Sequence, residues 1–81
     1  MTFKIGYFQF RPLFGKVNTN LSKVIKALGS ANADLIVLPE LAFTGYYFRD
    51  RAETLHLAED PSASGTVESL ISLCKRRNFY L

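Results

Sequence analysis

The sequence predicts an α/β layer on parallel strands, in the order β-α-β-(loop)-α-β. Three observations carry the prediction. "FKIGYFQF" and "LIVL" are short apolar segments of strand character. Two later stretches place an apolar residue every three to four positions, the helical period. Each helix lies between strand-like segments, as a crossover joining parallel strands must. With 81 residues the chain, residues 1–81, holds at most one small domain.

The first strand spans Phe3 to Phe10. Phe3, Ile5 and Tyr7 share one face, Phe8 and Phe10 the other, so cover is expected on both faces. Arg11-Pro12 ends it, and "FGKVNTN" reads as a loop. A helix follows from about Thr19 to Ala31, with Asn18 as N-cap. Its apolar stripe is Leu21, Val24, Ile25 and Leu28, and Gly29 and Asn32 weaken or end it. Leu35 to Leu38 is apolar without alternation, the pattern of a parallel strand buried on both faces. Asp50 to Glu59 reads as a short irregular helix and "DPSASG" as a loop. A second amphipathic helix runs from about Thr66 to Arg77, with Val67, Leu70, Ile71 and Cys74 as its stripe and Asn78 as a left-handed cap. Phe79-Tyr80-Leu81 begins a third strand, so the sequence reads as the front of a longer one, or as one that needs a partner.

Composition narrows the function classes. Hydrophobic residues make up 48% of the chain, enough for a packed core. No apolar run approaches the roughly 20 residues of a membrane span, and the N-terminus lacks the apolar core of a signal peptide. A single cysteine, Cys74, excludes a disulfide framework and makes zinc ligation improbable, so a reducing cytoplasm is the default setting. The net charge of +3 is modest. Its one cluster, Lys75-Arg76-Arg77, closes a helix, where cations favour the negative end of the dipole; no nucleic-acid partner is called for. Gly6, Gly15 and Gly29 form no phosphate-binding pattern, which speaks against a nucleotide-binding βαβ unit.

Chemistry concentrates at "DLIVLPELAFTGYYF". In open α/β sheets, ligands bind beyond the carboxyl ends of the strands, and Glu40 stands there on the second strand. Pro39 fixes φ and removes a ladder donor, so Glu40 is presented at a defined point. Partial desolvation there favours the protonated form, which suits a general base. The alternative is a carboxylate that caps a turn or pairs with a nearby arginine. Gly45 permits a sharp turn after Glu40 and Thr44 bonds within it. Phe43, Tyr46, Tyr47 and Phe48 either line a substrate pocket or pack the loop onto the body or an interface, with Tyr46 the best pocket candidate and Phe43 beside it. His56 has no partner at metal-ligand spacing and is assigned to the surface or to loop packing.

"LIVLPELAFTGYYF" resembles the first motif of the nitrilase superfamily, the carbon–nitrogen hydrolases, with Pro39-Glu40, Thr44-Gly45-Tyr46 and Phe48 carrying the likeness. A first strand ending near Gln9, an amphipathic helix, Ala33-Asp34 before the second strand and Gly65-Thr66 at the next helix extend it over the chain. The resemblance implies that this chain supplies the N-terminal β-α-β-α-β part of an α-β-β-α sandwich that pairs through an α face into a homo-oligomer. It also implies hydrolysis of an amide, carbamoyl or nitrile carbon–nitrogen bond by Glu, Lys and Cys, without a metal or cofactor, on a small-molecule substrate. Only Glu40 carries over, as general base; the family's Lys and Cys lie beyond position 81. Cys74 sits on a helix stripe, where cysteine behaves as a small hydrophobe, and is rejected as nucleophile. Lys4, Lys16, Lys23 and Lys26 precede Glu40 and do not fit the family's order. On this reading the 81-residue chain alone is inactive. A different class, a non-catalytic assembly module derived from the same fold, is the alternative.

Overall fold

Asp34 fixes how the first two strands meet. Its Oδ2 accepts from the Lys4 N–H at 2.7 Å, and its own N–H donates to the Lys4 carbonyl at 2.8 Å. In the computed structural model, which describes residues 1–81, β1 (Ile5–Tyr7) and β2 (Leu35–Val37) then run parallel. Ile5 lies opposite Leu35, Gly6 opposite Ile36 and Tyr7 opposite Val37. On the far side of β2, the Ile36 N–H donates to Tyr80 and the Tyr80 N–H to Asp34, both at 2.8 Å. Tyr80 thus occupies the third-strand position as a single parallel bridge to Leu35. The strands are shorter than the apolar runs that announce them: the ladder ends at the bond from the Phe8 N–H to the Val37 carbonyl, and Pro39, which lacks an N–H, follows two residues later.

Helix α1 (Val17–Leu28) starts before Thr19 and ends before Ala31. Asn18 is not its cap: Lys16 holds that position without a side-chain bond, and Asn18 lies exposed in the first turn. The turn Leu13–Lys16 nucleates the helix instead. Gly15 adopts φ +68, the Lys16 N–H returns to Leu13 at 3.1 Å, and the Asn20 N–H reaches Lys16 at 2.9 Å. Val24 and Leu28 are buried and Leu21 and Ile25 half-buried, as the stripe predicts. Beyond the other end, the Arg77 guanidinium donates at 2.8 Å to the carbonyl of Ala31, three residues past α1, so one member of the basic cluster ties the end of the last helix, at Arg77, to that loop.

Helix α2 (Arg51–Leu57) is capped by Asp50, whose carboxylate accepts from the Glu53 N–H at 2.8 Å. Glu53 reaches back to the Arg49 N–H at 3.1 Å, completing a reciprocal cap. A 3-10 turn (Pro61–Ala63) follows; hydrogen bonds from the Ser62 hydroxyl and then its N–H hold the Asp60 carboxyl below its usual range. Helix α3 (Gly65–Arg77) begins on buried Ser64, whose hydroxyl accepts from the Val67 N–H at 3.1 Å and donates to Glu59 at 2.7 Å. Asn78 caps it at φ 56, left-handed as predicted.

The stripe of α3 differs from expectation. Thr66 and Leu73 are the buried residues, with Leu70 half-buried between them at i, i+4, i+7. Ile71 is 50% exposed, and the Val67–Ile71–Cys74 side borders an open apolar groove of about 740 Å³ with Leu35–Leu38 and Phe79. The polar hydroxyl of Thr66 hides the inner stripe from a hydropathy count.

Val24, Leu28, Ile36, Leu73 and Phe79 form the core, and α1 and α3 pack on each other over one face of the sheet. Paired residues of a parallel ladder point the same way, so Ile5, Tyr7, Leu35, Val37 and Tyr80 share the opposite face. That face is open: Ile5 is 68% and Tyr7 80% exposed. Cover on both faces is therefore not what the chain shows, since both long helices lie on the Ile36 side.

Candidate active site

Beyond β2 the chain passes Leu38 and Pro39 into a turn that Glu40 opens. Leu41 takes φ +52, a left-handed conformation that costs a leucine about 1–3 kcal/mol and persists only where its surroundings hold it. What holds it is local. The Gly45 N–H donates to the Leu41 carbonyl at 2.9 Å, the Thr44 hydroxyl donates to the Gly45 carbonyl at 3.2 Å, and the Tyr46 phenol donates to the Glu40 carbonyl. Gly45, at φ +81, is needed twice over: a Cβ there would stand 3.2 Å from the Phe14 Cα.

Glu40 itself is exposed. Its carboxylate forms no ion pair; the chain's ion pair joins Arg49 and Glu53 at 2.8 Å. The arginine-paired alternative is thus not the arrangement found. Neither is the desolvation expected at the strand end, because Glu40 stands exposed to water.

The turn aromatics divide. Phe43 is half-buried, packs against the core and borders both the large groove and a smaller cleft of about 360 Å³. That cleft lies between Leu38–Thr44, without Glu40, and Leu57–Glu59 at the end of α2. Tyr46 lines neither cavity; the residue is 51% exposed and its phenol is engaged on the turn. Phe48 and Tyr47 set their edges against Phe14, with ring centres 5.2 and 6.4 Å away. Of the two residues expected to contact substrate, only Phe43 lies in a cavity wall, and the largest groove contains neither Glu40 nor Tyr46.

Cys74 borders that groove from α3, and burial pushes its thiol up, toward the protonated, unreactive form. His56 is exposed in the last turn of α2.

The residue that sequence reasoning missed is Asn20. It is 2% exposed, and its carboxamide bonds the Leu13 N–H, the Leu13 carbonyl and the Phe43 carbonyl, each at 2.9 Å. A signal for it exists. Asn20, Val24 and Leu28 stand at i, i+4, i+8, so a polar residue continues the buried side of α1.

Residues 4–81 match the carbon-nitrogen hydrolase family. A nitrilase of Pyrococcus abyssi is 32% identical over 81 residues, covering 96% of this chain and 31% of that protein. A glutamine-dependent NAD(+) synthetase of Acinetobacter baylyi is 38% identical over 52 residues, 60% of this chain and 10% of its own length. The chain therefore spans about a third of the first relative and a tenth of the second. The family match begins one residue before β1 and runs through the Glu40 turn, α3 and Tyr80, so the chain belongs to the carbon-nitrogen hydrolase family.

Proposed function

We propose that residues 1–81 form the N-terminal part of a hydrolase acting on non-peptide carbon–nitrogen bonds, amide, carbamoyl or nitrile, with Glu40 as its general base. The observation that carries this reading is an unpaired carboxylate held on a strained, hydrogen-bonded turn just past the carboxyl end of a parallel strand. A turn that fixed serves a group whose position matters more than its local energy. The relatives' names add support, one speaking of nitriles and the other of glutamine, a side-chain amide.

In the mechanism that the family resemblance implies, Glu40 takes the thiol proton of a cysteine beyond position 81. The thiolate attacks the carbonyl or nitrile carbon, and a lysine, also beyond position 81, stabilises the developing negative charge. In the amide case the nitrogen leaves with a proton from the glutamic acid; Glu40 then deprotonates the water that cleaves the thioester. Phe43 forms part of the substrate wall through the smaller cleft, and Tyr46 steadies the Glu40 backbone beside it. The outer face of Ile5, Tyr7, Val37 and Tyr80 receives the second sheet of an α-β-β-α sandwich, which supplies the desolvation that Glu40 lacks here. The assembled protein is a cytoplasmic homo-oligomer joined through an α face; no helix of this chain is long and apolar enough to cross a membrane.

The test is Glu40→Gln in the full-length protein, assayed by ammonia release from a panel of simple nitriles and primary amides. Turnover falls about 100- to 10,000-fold with the circular dichroism spectrum unchanged. Parental turnover in that variant removes the base assignment.

The open apolar face also favours a second reading, a non-catalytic assembly module. A full-length protein that hydrolyses none of the panel yet assembles through this face supports it over the first.

A further inference from the structure

Asn20 is a buried polar side chain on a helix whose other inward residues are apolar. Burying a carboxamide is costly unless its bonds are made. Here Oδ1 accepts from the Leu13 N–H and Nδ2 donates to the carbonyls of Leu13 and Phe43, all at 2.9 Å. One side chain thus joins three pieces of backbone: the first turn of α1, the loop before it and the Glu40 turn. A carboxamide suits this task because it offers an acceptor and two donors at one end; a carboxylate offers no donor and a serine only one.

A second seam runs beside it. The Gly15 N–H donates to the Thr44 carbonyl at 2.8 Å, and Gly45 lies against the Phe14 backbone with no room for a side chain. Residues 43–46 are in turn bound to Leu41 through the Gly45 N–H and to Glu40 through the Tyr46 phenol. Glu40 is consequently fixed from two ends, by β2 upstream and by the first turn of α1 downstream.

We propose that Asn20 is a positioning residue for the reaction: it sets the place of the Glu40 carboxylate by clamping the turn that carries it to α1. The proposal rests on the reading of Glu40 as general base. A displacement of a catalytic group by about 1 Å costs on the order of a hundredfold in rate.

The test uses the full-length protein, with Asn20→Ser, Glu40→Gln and the double variant, assayed on the nitrile and amide panel and by backbone amide exchange. Asn20→Ser lowers kcat about a hundredfold with KM within about threefold. It also speeds exchange at Leu13, Gly15 and Gly45 at least about tenfold while Ile36 and Tyr80 stay protected. In the Glu40→Gln background the same substitution costs little more, because both act on one group. If Glu40→Gln is inactive and Asn20→Ser keeps the parental kcat, the positioning role fails and the base assignment stands. If Glu40→Gln keeps parental turnover, the base assignment fails, and this role with it. Full additivity in the double variant assigns Asn20 a purely structural part and overturns the proposal. Unaltered exchange at Leu13, Gly15 and Gly45 overturns it as well, and needs no substrate. Should Asn20→Ser not fold, Asn20→Asp keeps the acceptor for the Leu13 N–H and removes both donors, and parental kcat in that variant also overturns it.

Discussion

Glu40 and Cys74 show how one chain places two reactive groups differently. Glu40 is exposed and unpaired on a strained turn, whereas Cys74 is half-buried on α3 and its thiol is pushed up by burial. A raised thiol pKa means that folding favours the neutral form. That contribution to stability is complete below the ordinary thiol range, about 8.5, and is lost as the pH rises through the folded value. At neutral pH, Cys74 should therefore react with iodoacetamide at least about tenfold more slowly than the same chain unfolded in urea, followed by mass spectrometry. Equal rates in the two states would contradict the assignment of Cys74 to packing. The turn at Glu40 was legible because Pro39 after an apolar run ends a strand, whereas the role of Glu40 as base rests on the family resemblance and is a proposal. Asn20 was not legible, because the apolar stripe was counted from Leu21 and a polar residue in the first helical turn was passed over, although it continues the side of Val24 and Leu28. Nothing in the sequence marks the left-handed Leu41, since its conformation is imposed by bonds from Gly45 and Tyr46.

At the scale of elements, both long helices were readable from their periods and Asn78 from its cap chemistry, while helix α1 began two residues early because the Leu13–Lys16 turn replaces a side-chain cap. The rotation of α3 was the harder quantity. Neighbouring stripes on a helix differ by one position, and Thr66 disguises the inner one. The energetic consequence separates the two stripes. Leu73 is fully buried, so Leu73→Ala should cost about 2–5 kcal/mol, enough to unfold a domain of this size. Ile71 stands half in water at the open groove, and Ile71→Ala should cost less than about 1 kcal/mol in the same chain. Urea midpoints of the 81-residue chain decide between the observed stripe and the one expected; a larger loss for Ile71→Ala would restore the latter.

The whole molecule is a slab of 47 × 24 × 19 Å in which 10 of 81 residues are buried, so its stability margin is small. Its outer sheet face carries Ile5, Tyr7, Val37 and Tyr80, each more than half exposed. Such a patch drives association in water. The isolated chain should show no thiol-dependent amidase turnover and should scatter light at a mass well above its 9.1 kDa at tens of micromolar. A compact monomer at that concentration would mean that the face is not an interface at all. The location of the Asn20 clamp has a further bearing, on timing during synthesis. The bonds that tie the Glu40 turn to α1 lie between Leu13 and Tyr46, whereas the Tyr80 bridge to β2 closes much later in the chain. At about 5–20 residues per second, the ribosome releases the clamp on the order of seconds before Tyr80 emerges. The partners of the Glu40 turn are thus all synthesised before the sheet can be completed, so its bonds do not wait on the end of the chain.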